Sequence, residues 1–153
     1  MEHLEKVFLQ AQPDCEAFAE LLDLEQQALV DRDMAELEKL LAAKTPLIEA
    51  LARHDLAIRT CCTQIGVAPG DGLEAHIKSL GAPTLLERYS AFQDTLQRCQ
   101  AGNLRNARLV RHNQQATGNL LDLLRNQGET SQSVYDRQGI ASRSGNQRNL
   151  TKA

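Results

Sequence analysis

The sequence predicts an all-α protein, a long antiparallel helical hairpin of coiled-coil-like character with a shorter N-terminal helix, a short connecting helix and a polar C-terminal tail. Three observations carry this. Leucine supplies most of the apolar content while aromatics make up only 3% and tryptophan is absent, and strands draw on the aromatic and β-branched residues that are scarce here. Apolar residues recur in alternating three- and four-residue steps, the spacing of a helical seam. Glycine and proline gather at a few points, so the chain is punctuated into long uninterrupted segments.

The first helix is expected from "QPDCEAFAELLDLEQQALV", with Pro13 at or before its first turn and Phe18, Leu21, Leu22, Ala28 and Leu29 on one face, ending near Val30. Asp33 followed by Glu36 fits a capping box and starts a second helix. Its seam runs Met34, Leu37, Leu41, Ile48, Leu51, Ile58, Cys62 and Ile65. Pro46 lies inside and removes one N–H from the ladder, so a kink is expected near Ala42 to Pro46.

"GVAPGDG", residues 66 to 72, is the clearest break. Asp71 is expected to cap a short helix carrying Leu73, Ile77 and Leu80, and a second long helix starts near Pro83 or Thr84. That helix is expected to run to about Asn126 on Leu85, Tyr89, Phe92, Leu96, Cys99, Val110, Leu120 and Leu124, folded antiparallel on the helix before the break. Its seam turns polar midway, at Asn103, Asn106, Asn113 and Thr117, with Gly102 and Gly118 nearby. Either this end projects into solvent or makes register-setting amide contacts, or it is an adaptable surface on which another helix packs.

At 153 residues one domain is the default: a helical bundle over 1–127, followed by a polar, basic tail over 128–153 that buries too little apolar area to offset its ordering and is expected to be flexible. Charge is uneven. Residues 1–60 hold 13 acidic and 6 basic side chains, whereas the tail from Val134 holds 4 basic and 1 acidic. Four spread charges are too thin a footprint for nucleic acid. No run of roughly 20 apolar residues spans a bilayer, and acidic residues beside Met1 do not resemble a secretory signal, so a cytoplasmic protein is expected.

Enzyme signatures are missing: no Gly-rich phosphate loop, no GxSxG, no HExxH. Cys15, Cys61, Cys62 and Cys99 form no CxxC pair, which leaves them as reduced, apolar core residues with no metal and no cofactor expected. "AHIKSLGAP" approaches a histidine phosphotransfer signature, but Lys78 stands two residues after His76, roughly 200° around a helix, where it does not cover the same phosphate. A binding protein remains, one whose incomplete self-burial offers an apolar stripe to an amphipathic helix. Tyr135, a lone aromatic at the root of the polar tail, suits a single-residue anchor.

The order of these features resembles the FlgN-type flagellar export chaperones: the acidic, leucine-rich "FAELLDLEQQALVDRDMAELEKLLAAKTPLIEAL", a Gly/Pro break, the Asn-studded "GNLRNARLVRHNQQATGNLLDLL", then "VYDRQG" and a Gly/Ser/Arg tail. It departs from the family where Thr117, not a second asparagine, precedes Gly118. The resemblance implies a non-enzymatic cytosolic chaperone that holds the C-terminal segments of the hook-filament junction proteins FlgK and FlgL and delivers them to the export gate FlhA. On that footing the client surface is expected at Leu109, Val110, Ala116, Leu120, Leu121 and Leu124, and Tyr135 matches the family's export-gate contact. The alternative is a self-associating coiled-coil protein, a homodimer without client-holding activity.

Overall fold

The computed structural model describes the backbone of residues 2–141 and the side chains of residues 2–126. Among these residues there are four helices, α1 (Glu2–Asp31), α2 (Met34–Ile65), α3 (Asp71–Ser79) and α4 (Pro83–Ala141), and no strand. The all-α bundle expected from the sequence is what forms. The chain comprises two units, 1–110 and 111–153.

Helix α1 begins at Glu2, well before the expected start near Pro13. Leu4, Val7, Phe8, Ala11 and Cys15 extend the seam of Phe18 and Leu22 backwards at the same spacing, and all are buried. A proline inside a helix costs about 3 kcal/mol. Burying Phe8 and its neighbours offsets that, since a fully buried large apolar side chain contributes about 1.5–3 kcal/mol, and Pro13 itself faces out. At the α1–α2 junction Arg32 takes a left-handed φ of 56°. Asp33 then caps α2 as expected, its carboxylate accepting from the Glu36 N–H at 3.0 Å.

Helix α2 continues through Pro46 and stops at Gly66, whose N–H reaches the carbonyls of Cys62 and Thr63 and whose φ of 73° turns the Val67 N–H back to the Cys62 carbonyl at 3.0 Å. Helix α3 is capped by Gly70, not by the Asp71 side chain, which falls in the first turn. Leu73 and Ile77 are buried beneath it, while Leu80, expected on the same face, is exposed. Helix α4 opens on Pro83, where the missing N–H costs nothing, and passes the expected end near Asn126 to reach Ala141. No proline follows Pro83, and Gln, Glu, Ser and Arg after Asn126 tolerate the helix. Residues 142–153 of the expected tail lie outside the described residues.

In unit 1–110 the expected antiparallel pair of α2 and α4 forms, with Cys61 and Cys62 in one core with Leu85, Tyr89 and Phe92. The structure makes α1 the common partner. Toward α2 it runs antiparallel, with Asp14 meeting His54 and Glu25 meeting Lys44. Toward α4 it runs parallel: Glu5 to Arg88, Gln12 to Thr95, the Cys15 carbonyl to Cys99 and the Leu22 carbonyl to Asn106. Separations of 83 or 84 residues at all four contacts hold the two helices in one register. The core centres on Phe8, which meets Tyr89 edge-on at 5.5 Å and Phe92 at 5.4 Å.

Candidate functional site

In unit 111–153 the described side chains belong to α4. Ala116 is half-buried there, and Leu120, Leu121 and Leu124 are each 56–57% exposed. Leu123, 60% exposed, joins them and was not among the residues singled out from the sequence. The signal for it is the run "LLDLL", in which Leu123 lies off the seam through Leu120 and Leu124. Four leucines within five positions form a broad arc on one helix, wider than a two-stranded seam needs. Thr117 turns its hydroxyl back to the Asn113 carbonyl at 2.9 Å, so this polar seam residue satisfies itself within the helix.

Leu109 and Val110 belong to unit 1–110, where Leu109 is half-buried and Val110 is 38% exposed. The structure therefore places the six expected client residues in two units. Tyr135 lies within the span of α4, and its side chain is outside the described residues.

Asn106 shows what the polar seam does in unit 1–110. Its side-chain amide donates to the Leu22 carbonyl and to Glu25 Oε2, both at 2.8 Å, and its own oxygen accepts from Arg105 Nε at 3.2 Å. Glu25 is buried and accepts from Lys44 Nζ through both oxygens, at 2.9 and 3.1 Å. Lys44 Nζ stands 5.7 Å from the centre of the Phe18 ring, and Arg105 also binds Asp23 at 3.0 Å. Gly102, one turn earlier, lets α4 approach Leu22 so closely that an added Cβ would meet Leu22 Cδ1 at 3.1 Å. Of the two readings, Asn106 follows the one in which the amides make contacts within the bundle, and Gly102 lets the two helices close beside it.

A cleft of about 260 Å³ opens farther toward the N-terminus of α1, lined chiefly by Phe8, Leu51, Ile58, Tyr89, Phe92 and Leu96. At its edge His54 Nε2 lies 2.7 Å from Asp14 Oδ2, and the Tyr89 hydroxyl donates to the Gly70 carbonyl at 3.1 Å. Burial raises the Tyr89 hydroxyl pKa above its ordinary value. This lining can accept one or two apolar side chains.

The four cysteines are free thiols and all are buried. Burial, reinforced by the nearby Cys99 thiol, pushes Cys15 up to about 12, and burial raises Cys62 and Cys99 as well. A thiol that stays protonated is a poor nucleophile and ligand. Among the described residues no group of three or more His, Cys, Asp or Glu is placed to hold a metal ion, and no helix is long and apolar enough to cross a membrane. Lys78 pairs with Glu74 at 2.6 Å, so its ammonium is engaged along α3 rather than directed at His76.

The FlgN protein family matches residues 1–143 of this chain. The crystal structure of a flagella synthesis protein FlgN from Pseudomonas aeruginosa is similar in fold, with a TM-score of 0.62. The two sequences are 34% identical, and the match covers 78% of this chain and 93% of the other. No curated protein matches the chain.

Proposed function

The chain belongs to the FlgN family, and from that premise we propose that it is a cytosolic flagellar export chaperone without catalytic activity. It holds the C-terminal helical segments of the hook-filament junction proteins FlgK and FlgL and presents them to the export gate FlhA. The observation that carries this reading is the exposure of Leu120, Leu121, Leu123 and Leu124 on one helix. Completing the burial of a leucine already half-covered contributes about 1 kcal/mol, so several acting together can hold a client helix laid along α4. Clients whose ends assemble as helices in a filament carry matching apolar stripes, and covering those stripes blocks premature association.

Leu109, Val110 and Ala116 are assigned to the client surface with less exposed area each, and Tyr135 to docking at FlhA. An aromatic set among polar residues supplies apolar area and a hydroxyl at little rotamer cost, which suits an anchor.

The test is a titration of a FlgK C-terminal peptide onto the wild type and onto a chain carrying Leu120→Asp and Leu124→Asp. Binding is abolished while far-ultraviolet circular dichroism is unchanged. Retained affinity removes this face as the client surface, and loss of helicity would mean that these leucines belong to a core. Export-gate docking is tested apart: Tyr135→Ala weakens binding to FlhA and leaves peptide binding intact.

A further inference from the structure

The cleft of about 260 Å³ is built entirely within unit 1–110, from α1, α2, α3, the Pro69–Gly70 turn and the first part of α4. Client holding leaves it unused. The chain has only three phenylalanines and two tyrosines, and Phe8, Tyr89 and Phe92 all line this one space. Phe8 stands edge-on to Tyr89 and is tilted by 46° to Phe92, so the three rings offer both edges and faces, the arrangement on which a further aromatic ring packs. Leu51, Ile58 and Leu96, each half-buried, form the sides. An apolar cavity of about 150 Å³ takes a benzene ring, and ligand pockets begin near about 300 Å³. The space therefore suits one fused bicyclic ring, or a single ring with a short arm.

The rim has spent its donors inside the protein. Asp14 Oδ2 accepts from His54 Nε2 at 2.7 Å, which leaves Nδ1 of the neutral ring as an acceptor. The Tyr89 hydroxyl donates to the Gly70 carbonyl at 3.1 Å and accepts from Gln93 Nε2, so the oxygen of the Gln93 amide is left for another donor. Asp55 accepts from Arg59 through Oδ2 at 2.7 Å and has a second oxygen to offer. Among the described residues that line the cleft there is no Lys or Arg. Burial first, and then the charges of Glu74 and Asp71, push the Tyr89 hydroxyl pKa up against the opposing hydrogen bond from Gln93. The field on that side of the cleft is thus negative, and what the rim lacks is a donor with positive charge.

We propose that the cleft binds a small aromatic amine, its ring among Phe8, Tyr89 and Phe92 and its ammonium, on a short arm, at the rim beside Asp55 and the acceptors of His54 and Gln93. A molecule with the same ring and a carboxylate on the arm meets acceptors and acids there and is disfavoured. Because α1, α2, α3 and α4 each supply part of the wall, the site exists only in the folded chain, and occupancy raises stability by mass action. Neither the site nor its ligand depends on the client-holding reading.

The experiment is calorimetric titration of the full chain at neutral pH and low ionic strength with three probes that share one ring: tryptamine, indole and indole-3-propionate. Tryptamine saturates a single site with a dissociation constant below about 1 mM, indole binds more weakly, and indole-3-propionate binds more weakly than tryptamine by at least about tenfold. Tryptamine also raises the melting temperature as its concentration rises. Absence of saturation by tryptamine in that range, or equal affinity for all three probes, overturns the proposal.

Two variants fix the place. Ile58→Trp fills the space and weakens tryptamine by more than about tenfold; its helicity is checked by circular dichroism. Asp55 is exposed, so Asp55→Asn keeps the fold, and it weakens tryptamine by about threefold or more while leaving indole unchanged. A folded Ile58→Trp chain that binds tryptamine as the wild type does overturns the proposal. So does an Asp55→Asn chain with an unaltered ratio of tryptamine to indole affinity, and this second comparison decides alone if Ile58→Trp unfolds. A FlgK C-terminal peptide leaves bound tryptamine in place. Its displacement of tryptamine would show that the cleft takes an aromatic or apolar side chain of a client instead of a free amine.

Discussion

Asn106 of α4 reaches Glu25 of α1 at 2.8 Å, and the same amide nitrogen holds the Leu22 carbonyl at 2.8 Å. Both N–H groups of one side chain are used on α1, while Lys44 of α2 neutralises the carboxylate between them. Three helices therefore meet at one satisfied polar point inside an apolar bundle. Such a point contributes little net stability, because desolvating the charges offsets their attraction, but only one alignment of the helices satisfies it.

Removing one partner should therefore be costly and removing all of them cheap. Lys44→Met leaves the Glu25 carboxylate buried without its cation and is expected to destabilise by about 3 kcal/mol. Asn106→Leu loses neutral donors and is expected to cost about 1–3 kcal/mol. The combined Glu25→Leu, Lys44→Met, Asn106→Leu chain recovers most of this loss in urea denaturation. Its α1–α4 spin-label distance distribution broadens relative to the wild type. A narrow, unchanged distribution would show that the node does not set register.

Gly102 and Gly118 make a matched pair on α4. Alanine is favoured over glycine in a helix interior by about 1 kcal/mol. At Gly118 an added Cβ meets nothing within 4 Å, so Gly118→Ala is expected to gain about that amount. At Gly102 it meets Leu22 Cβ at 3.2 Å, an atom next to the backbone of a fully buried residue that cannot easily move. Gly102→Ala is expected to lose the propensity gain and to lower the melting temperature. Equal stabilisation at both positions would mean that α1 and α4 are not closely packed at Leu22.

Much of this was legible in the sequence, for reasons that can be named. The caps and breaks at Asp33, Gly66 and Pro83 are local chemistry, and local chemistry is written in adjacent residues. The first three turns of α1 are not legible from local signals, because Pro13 reads as a start signal, whereas tertiary burial of Phe8 and Ala11 overrides one proline. The parallel run of α1 beside α4 was not legible at all. It depends on residues 83 and 84 positions apart, and no periodicity reports which of two apolar faces a third helix prefers. Of the client leucines, Leu120 and Leu124 follow from seam spacing, whereas Leu121 and Leu123 stand equally far to either side of it, and Leu123 emerges only from its exposure.

Cys15 supplies a pH prediction with a definite sign. Its thiol is raised from 9.0 to about 12 in the folded chain, so above pH 9 the unfolded chain releases a proton that the folded one keeps. The stability associated with this group is present in full below about pH 9 and is lost as pH rises toward 12. Denaturation midpoints should fall over that interval, and less so for Cys15→Ala measured against its own stability at pH 7. The native chain should also resist a thiol-specific reagent at pH 8 and react only as it unfolds. Rapid labelling of Cys15 without unfolding would contradict its burial.

The four leucines of the client face should not contribute equally. With 3.6 residues per turn, Leu120 and Leu124 lie about 40° apart at the centre of the arc, while Leu121 and Leu123 stand roughly 80° to either side of it. A straight partner helix buries the centre of such a face completely and only grazes its margins, and centrally buried side chains dominate binding. Alanine at Leu120 or Leu124 is accordingly expected to weaken a FlgK C-terminal peptide by about 1 kcal/mol in calorimetry, and alanine at Leu121 or Leu123 by less than about 0.5 kcal/mol. Losses of equal size at all four would require a client that wraps around α4 or presents two helices to it. A loss greatest at Leu123 would rotate the seam away from Leu121.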